Sequence, residues 1–187
     1  MRHFLALCLI LTSAAALAEP RSYALQATAS NVGFETDFGP DKITGQMPVT
    51  QADLSLDFQN VANSKVAVTL DVTGAEASFP FAAQAMKGPK VLDSKEFPNI
   101  TFKSTTVARD GDGATVNGNI TIRGVTRPAV LHAMLYRQQG TIAGDLSHLS
   151  IRLTGTIARS DFGAVGWNDM VGDAVHLDIL AQIQRVD

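Results

Sequence analysis

The sequence predicts an all-β protein whose antiparallel strands close into a barrel of about eight strands. Three observations support this class: apolar and polar residues alternate along most of the chain, Gly, Asn, Asp and Pro separate the alternating runs, and helical periodicity is nearly absent. The alternating runs are 23–25, 31–36, 42–48, 51–58, 65–72, 99–108, 114–123, 126–137, 141–158 with a break near Leu146, and 174–185. Strands this numerous, each with one apolar face, require a sandwich or a closed barrel.

Turn residues separate the predicted strands. Asp110-Gly111-Asp112-Gly113 lies between two alternating runs and predicts a hairpin turn. Gly39-Pro40-Asp41 predicts a similar turn earlier in the chain. In Phe97-Pro98-Asn99, proline fits the start of a strand and not its paired centre. We therefore expect a strand to begin directly after Pro98.

One segment, residues 75–97, does not alternate. It is rich in Ala and contains Phe79, Phe81 and Met86 before Lys87-Gly88-Pro89, which predicts a short helix ended by glycine. We expect this helix near one mouth of the barrel, with its aromatic and Met side chains covering the opening. A surface loop whose apolar residues plug the core is the alternative.

The N-terminus has the pattern of a secretory signal peptide. A basic start at Arg2 and His3 is followed by an apolar run too short to span a bilayer, and small residues precede Glu19. Cleavage after Ala18 leaves residues 19–187 as a single domain, which we expect in the periplasm. A lipoprotein anchored through Cys8 is the alternative, but bulky Leu7 precedes that cysteine.

Charge and cysteine content exclude several classes of protein. After loss of Arg2, the chain contains 14 Lys and Arg residues and 18 Asp and Glu residues, and no basic cluster is present. We therefore expect no nucleic-acid partner. No second apolar stretch approaches the length of a bilayer, so we expect no integral membrane segment after cleavage. Cys8 is the only cysteine, so the cleaved chain forms no disulfide of its own.

Catalytic and metal-binding patterns are missing. His132, His148 and His176 do not share a metal-ligand spacing, and Ser160 lacks the glycines of a nucleophile elbow. The Asp110–Gly113 run lacks the closing Glu of a calcium loop. We therefore expect no metal, no cofactor, no catalytic residue and no enzymatic activity.

The chain is rich in large apolar residues near strand centres and segment ends. A barrel of about eight strands is wide enough inside to hold one small ligand. These side chains then either fill a solid core or line a cavity. The candidate ligand-binding residues are Phe34, Phe38, Met47, Phe79, Phe81, Met86, Phe102, Phe162, Trp167 and Met170, with Arg159 and Asp161 at the rim.

Several motifs, in this order and spacing, resemble those of the YceI-like family across most of the chain. They are Ile43-Thr44-Gly45-Gln46-Met47, Phe97-Pro98-Asn99-Ile100-Thr101-Phe102-Lys103-Ser104, Gly118-Asn119-Ile120-Thr121-Ile122-Arg123-Gly124-Val125-Thr126-Arg127-Pro128, and Ile157-Ala158-Arg159-Ser160-Asp161-Phe162-Gly163 followed by Val171-Gly172-Asp173. The resemblance implies an extended lipocalin-like barrel.

The resemblance also implies a function. Members of the family are lipid-binding proteins, so we expect a tunnel that holds a polyisoprenoid or an isoprenoid quinone, with its tail inside and its head near the mouth. The same resemblance implies that a homodimer can form. Two other functions stay open: an enzyme for small hydrophobic substrates, which needs acid and base groups inside the tunnel, and a solid-core periplasmic stress protein. Arg159 and Asp161 have two possible roles: they stabilise the rim of the barrel, or they contact the head group of the ligand.

Overall fold

The computed structural model describes residues 19–138, 140–142 and 144–186. Its strands are β1 (Arg21–Leu25), β2 (Asn31–Phe38), β3 (Asp41–Met47), β4 (Val49–Leu56), β5 (Lys65–Asp71), β6 (Glu76–Ala77), β7 (Asn99–Asp110), β8 (Gly113–Ile122), β9 (Val125–Arg137), β10 (His148–Ala158) and β11 (Val171–Arg185). One α-helix, α1 (Pro80–Lys87), and three 3-10 turns, Ala27–Ala29, Val61–Asn63 and Arg159–Phe162, complete the described elements. The predicted signal peptide, residues 1–18, lies outside the described residues.

Eight strands close into an antiparallel ring in the order β1-β4-β5-β7-β8-β9-β10-β11, and β11 pairs back with β1. The long β11 also pairs with β2, which continues the line of β1 after the Ala27–Ala29 turn. Ser30 bridges the interruption between β1 and β2, because its hydroxyl donates to the Gln26 carbonyl (2.8 Å) and accepts from the Gln182 amide (3.0 Å). The predicted barrel is confirmed.

Two-residue turns join neighbouring strands as the sequence predicted. Asp110 pairs with Gly113 across the β7–β8 hairpin, and Gly111 at its tip has a φ of 54°, where glycine is favoured. Phe38 pairs with Asp41 across the β2–β3 hairpin. β7 begins directly after Pro98, as its proline predicted.

Two local predictions were wrong in detail. The stretch 141–158 becomes a strand only from His148, because Thr141 and Asp145 make turn hydrogen bonds with Gln138 and Ile142. Alternation was outweighed there by local turn bonding, including the Ser147 amide donating to the Asp145 carboxylate (2.8 Å). The helix does end at Lys87, but Gly88 has a φ of −72° and a ψ of 167°. That extended geometry is what the following Pro89 imposes, so proline and not a left-handed glycine ends the helix.

The two ends of the barrel differ. We call the end that carries the β2–β3 hairpin, α1 and the β10–β11 connection the helix end, and the opposite one the far end. At the far end, buried Tyr23, Leu149 and Ile183 pack together, and the Tyr23 hydroxyl donates to the Leu146 carbonyl (2.9 Å). Burial raises the pKa of this hydroxyl. At the helix end, Val72 and Phe162 belong to a second buried cluster.

No helix in the described part of the chain is long and apolar enough to cross a bilayer.

Candidate functional site

A cavity of about 470 Å³ occupies the interior of the barrel. Because successive side chains of a strand point to opposite faces, every second residue contributes to its wall. On β10 these are Ile151, Leu153 and Ile157, and on β11 they include Leu177 and Ile179. Such cavities fall within the size range of small-ligand sites. The alternation seen in the sequence therefore produces a continuous apolar wall.

The interior stays hollow because its large rings lie along the wall. A Cβ added at Gly118 would be 2.4 Å from Cζ of Phe102, and one added at Gly45 would be 2.2 Å from Cζ of Phe34. These rings therefore cover the glycines of neighbouring strands. Leu131 covers Gly155 on β10 in the same way, 2.7 Å from the position of an added Cβ. This arrangement is the structural reason for a cavity where a solid core was the alternative.

Small side chains add to this space. Ala52, Ala114, Ala133 and Ala181 all line the cavity, each on a different strand. None of them is long enough to reach the opposite wall.

The buried polar side chains of the wall are already bonded. The hydroxyl of Thr36 donates to the Ala174 carbonyl (2.9 Å), and that of Ser64 accepts from the Asp57 amide (2.9 Å). Among the described residues, no buried side-chain nitrogen or oxygen lacks a hydrogen-bond partner. The buried part of the wall therefore offers no free side-chain nitrogen or oxygen to a ligand.

Arg159 ties down the connection from β10 to β11. Its Nε donates to the Gly172 carbonyl (2.9 Å), one terminal nitrogen to the carbonyls of Ala164 and Gly166, and the other to the Val171 carbonyl (2.9 Å). Burial lowers the pKa of this guanidinium, and the nearby Asp173 carboxylate opposes that effect. Asp173 also accepts from the amide and hydroxyl of Ser160 at 2.9 and 2.8 Å. We call these contacts the Arg159 latch.

Aromatic residues of the cavity lining reach the surface at the helix end. The rings of Phe38 and Phe79 lie 6.1 Å apart, between centroids. The Gly39 amide donates to the Met170 carbonyl (3.1 Å), which joins the β2–β3 hairpin to the β10–β11 connection. Phe81 on α1 is 71% exposed and also lines the cavity, so it stands at the rim.

Eleven of the twelve candidate residues line the cavity: Phe34, Phe38, Met47, Phe79, Phe81, Met86, Phe102, Phe162, Trp167, Met170 and Arg159. Asp161 is exposed and is not among the lining residues. Whether any of them contacts a ligand stays a prediction. The aliphatic lining and the covered glycines were missed, because no local pattern shows which strand will lie against a glycine.

The three histidines do not converge inside the barrel. His132 and His176 are exposed, His148 is half-buried, and none of them lines the cavity. His132 lies beside Asp110, His176 beside Thr156, and His148 beside Ser147. Within the described ranges, no group of three or more His, Cys, Asp or Glu is placed to hold a metal ion.

Fold and cavity together define the class of protein: a closed antiparallel barrel with an apolar interior. The YceI-like domain matches residues 23–183, and the chain belongs to this family.

Protein YceI of Escherichia coli O17:K52:H18 is 31% identical over 114 residues, which cover 58% of this chain. The match spans 60% of that relative's own length. BcnA of Burkholderia cenocepacia superposes with a TM-score of 0.76 at 20% identity, covering 85% of this chain and 99% of that one. A polyisoprenoid-binding domain from Saccharophagus degradans superposes with a TM-score of 0.62 at 12% identity, covering 89% and 99%. At these identities the two structures establish the shared fold.

Proposed function

We propose that this protein binds one long apolar amphiphile of the isoprenoid type and carries it through the periplasm. The observation that carries the proposal is the apolar wall of the cavity, in which the buried polar side chains already bond to the protein itself. A hydrocarbon tail loses no hydrogen bond on entering such a space, whereas a polar ligand does. The cavity therefore favours a tail.

The energy of burial is sufficient for this role. Each buried methylene-sized group contributes about 0.8 kcal/mol, so a five-carbon isoprene unit contributes about 4 kcal/mol of gross stabilisation. Losses of motional freedom offset part of this on binding. Several units still leave a favourable balance without any contribution from a head group. The polar head then stays near the exposed opening at the helix end.

Two further observations support the proposal. The structural neighbour from Saccharophagus degradans is described as a polyisoprenoid-binding domain. The first 18 residues have the pattern of a secretory signal peptide, which supports a periplasmic location.

The lining of the cavity supports a binding role without catalysis. Arg159, the buried cation of the lining, is engaged with four backbone carbonyls. Arg109 donates to the Phe58 carbonyl (3.1 Å) in an exposed position. Neither group is placed as an acid or base deep inside the cavity.

Extraction of the purified protein with organic solvent, followed by mass spectrometry, tests the proposal. We expect an apolar lipid with an isoprenoid fragmentation pattern, at about one molecule per chain. Protein that is repeatedly recovered empty, or that carries only small polar molecules, contradicts it.

The source of the affinity is tested separately with lipid-free protein. An isoprenoid quinone and a polyprenol of the same tail length should bind with similar affinity, because the deep wall has no free polar group. Strong preference for one head group at equal tail length contradicts the assignment of affinity to the tail. Turnover of either compound, lost when His132, His148 and His176 are replaced together, would favour the enzyme alternative.

A further inference from the structure

Four exposed apolar side chains belong to elements at the helix end. Phe81 is 71% exposed, Val165 53%, Met170 49% and Trp167 36%. We call this group the apolar lip. Phe81 belongs to α1, and the other three belong to the β10–β11 connection. Exposed apolar groups gathered around an opening are typical of an interaction surface.

The lip is held in place by hydrogen bonds and is continuous with the cavity. The Gly166 amide donates to the Lys90 carbonyl (2.8 Å), which joins the β10–β11 connection to the segment after α1. Phe81, Trp167 and Met170 also line the cavity, so the exposed surface and the internal wall share these side chains. A tail that leaves the cavity here would pass along apolar groups.

Trp167 has an unfavourable backbone conformation. Its φ is 53°, in the left-handed region that bulky residues rarely adopt. The amides of Met170 and Val171 donate to its carbonyl at 3.0 and 2.8 Å, and this turn maintains the geometry. The Arg159 latch fixes the same connection by bonding to the carbonyl of Val171 (2.9 Å). The fold therefore maintains an unfavourable backbone conformation that leaves the indole at the rim.

We propose that the apolar lip docks on the surface of a lipid bilayer, so that cargo passes between membrane and cavity without crossing water. Tryptophan and lysine are among the residues that favour the boundary between lipid and water. Lys90 places its Nζ 6.0 Å from the centroid of the Trp167 ring, and Lys87 ends α1. Asp161 and Asp169 lie in the β10–β11 connection, so net charge adds little and apolar contact carries the binding.

A bilayer fits the lip better than a second copy of the chain or another protein, because the occupant must be continuous with the cavity. A protein covering these side chains would close the opening, whereas a bilayer is the solvent of a long apolar lipid. The purpose of docking rests on the proposed function. The docking itself can be measured on protein with or without cargo.

Trp167 is the only tryptophan of the chain and therefore reports on the lip directly. We would add vesicles of phosphatidylethanolamine with a minor share of phosphatidylglycerol and follow both flotation and tryptophan emission. The test variant is Phe81→Ser combined with Val165→Ser, which leaves the reporter in place. The matched control is Ile142→Ser, because Ile142 is 77% exposed in the far-end connection between β9 and β10.

We expect the wild type and Ile142→Ser to float with vesicles and to shift their emission to shorter wavelength. The double variant should bind vesicles about tenfold or more weakly, given the apolar area removed. Binding should persist at high salt, because apolar contact carries it. Equal binding by all three proteins, or no binding by the wild type, overturns the proposal. Self-association that the double variant loses, without vesicle binding, would identify the lip as a dimer surface and also overturns it.

The amount of co-purified lipid separates this inference from the proposed function. Val165→Ser alone tests this, because Val165 belongs to the lip and does not line the cavity. Unchanged lipid content in that single variant, together with weakened vesicle binding, supports docking as a property distinct from cargo binding. A wild type that binds vesicles but is always empty would support docking and contradict the carrier function.

Discussion

A substitution that fills part of the cavity with a larger side chain distinguishes a hollow barrel from a solid one. Ala52 lines the cavity on β4 and pairs with Val68 on β5. Ala52→Phe places an aromatic ring in the space that the tail is proposed to occupy. The ring displaces about six methylene-sized groups of cargo, each worth about 0.8 kcal/mol, which sets a ceiling of about 5 kcal/mol.

Part of this loss is recovered if the tail shifts along the cavity. We expect a net loss of about 2 kcal/mol, or roughly thirtyfold in Kd, for a fluorescent long-chain fatty acid titrated into lipid-free protein. Folding should be affected much less, because the ring enters open space. We expect the free energy of unfolding in urea to change by less than about 1 kcal/mol.

Ala67→Phe is the matched control for this substitution. Ala67 lies on β5, where it pairs with Asp53 and Lys103 and does not line the cavity. It should leave affinity for the fatty acid unchanged. If Ala52→Phe costs the 1–3 kcal/mol typical of overpacking and probe binding is unaffected, the interior is filled and the reasoning is refuted.

Three more substitutions test individual contacts of the barrel. Arg159→Met removes the guanidinium donors of four backbone carbonyls and should lower the free energy of unfolding in urea by about 2–4 kcal/mol, whereas an unchanged value would contradict the latch. Gly118→Ala should push the Phe102 ring into the lumen and weaken probe binding, at a cost of about 1–3 kcal/mol in stability; unchanged probe affinity would argue against rings lying on the wall. The hydrogen bond from the Asn60 amide is the main reason why the pKa of Asp57 lies below its usual range. The ionised carboxylate therefore stabilises the fold above about pH 3.9, and this stabilisation is lost as the pH falls through the lowered pKa. Thermal melts should therefore show Asp57→Asn less stable than the wild type at neutral pH, with a gap that narrows in acid; a constant gap would contradict the assignment.

Much of the fold could be predicted because its signals are local. Alternation with period two identifies a strand wherever one face is buried, and two-residue turns with glycine identify hairpins such as Asp110–Gly113. The prediction was wrong at residues 141, 142 and 144–147. There the Thr141 hydroxyl donates to the Gln138 carbonyl, the Asp145 carboxylate accepts from the Ser147 amide, and this local bonding replaces strand pairing. The prediction was also wrong about Gly88, because the conformation of that residue is imposed by the proline that follows it.

The candidate site was less accessible from sequence. Large apolar residues such as Phe34 and Phe102 were recognised by size alone, and they do line the cavity. Their orientation along the wall depends on the register that places Gly45 directly opposite Phe34 and Gly118 near Phe102. Register between distant strands leaves no mark in a local pattern, so a solid core and a cavity could not be told apart. Strand pairing, and not composition, decides between them.

The side chains at the rim show the same limit. Arg159 and Asp161 are two residues apart, yet Arg159 is buried and bonded to carbonyls while Asp161 is exposed. Both residues lie in the 3-10 turn Arg159–Phe162, and this turn sends their side chains in different directions.

The central claim is that one hydrocarbon tail occupies the interior of each chain. Native mass spectrometry of protein purified without detergent measures this directly, by comparing the intact mass with the mass of the same sample after denaturation. We predict an excess equal to one apolar lipid per chain, which Ala52→Phe reduces and Ala67→Phe retains. Identical native and denatured masses in freshly isolated wild-type protein, together with failure to take up added isoprenoid lipid, would contradict the account.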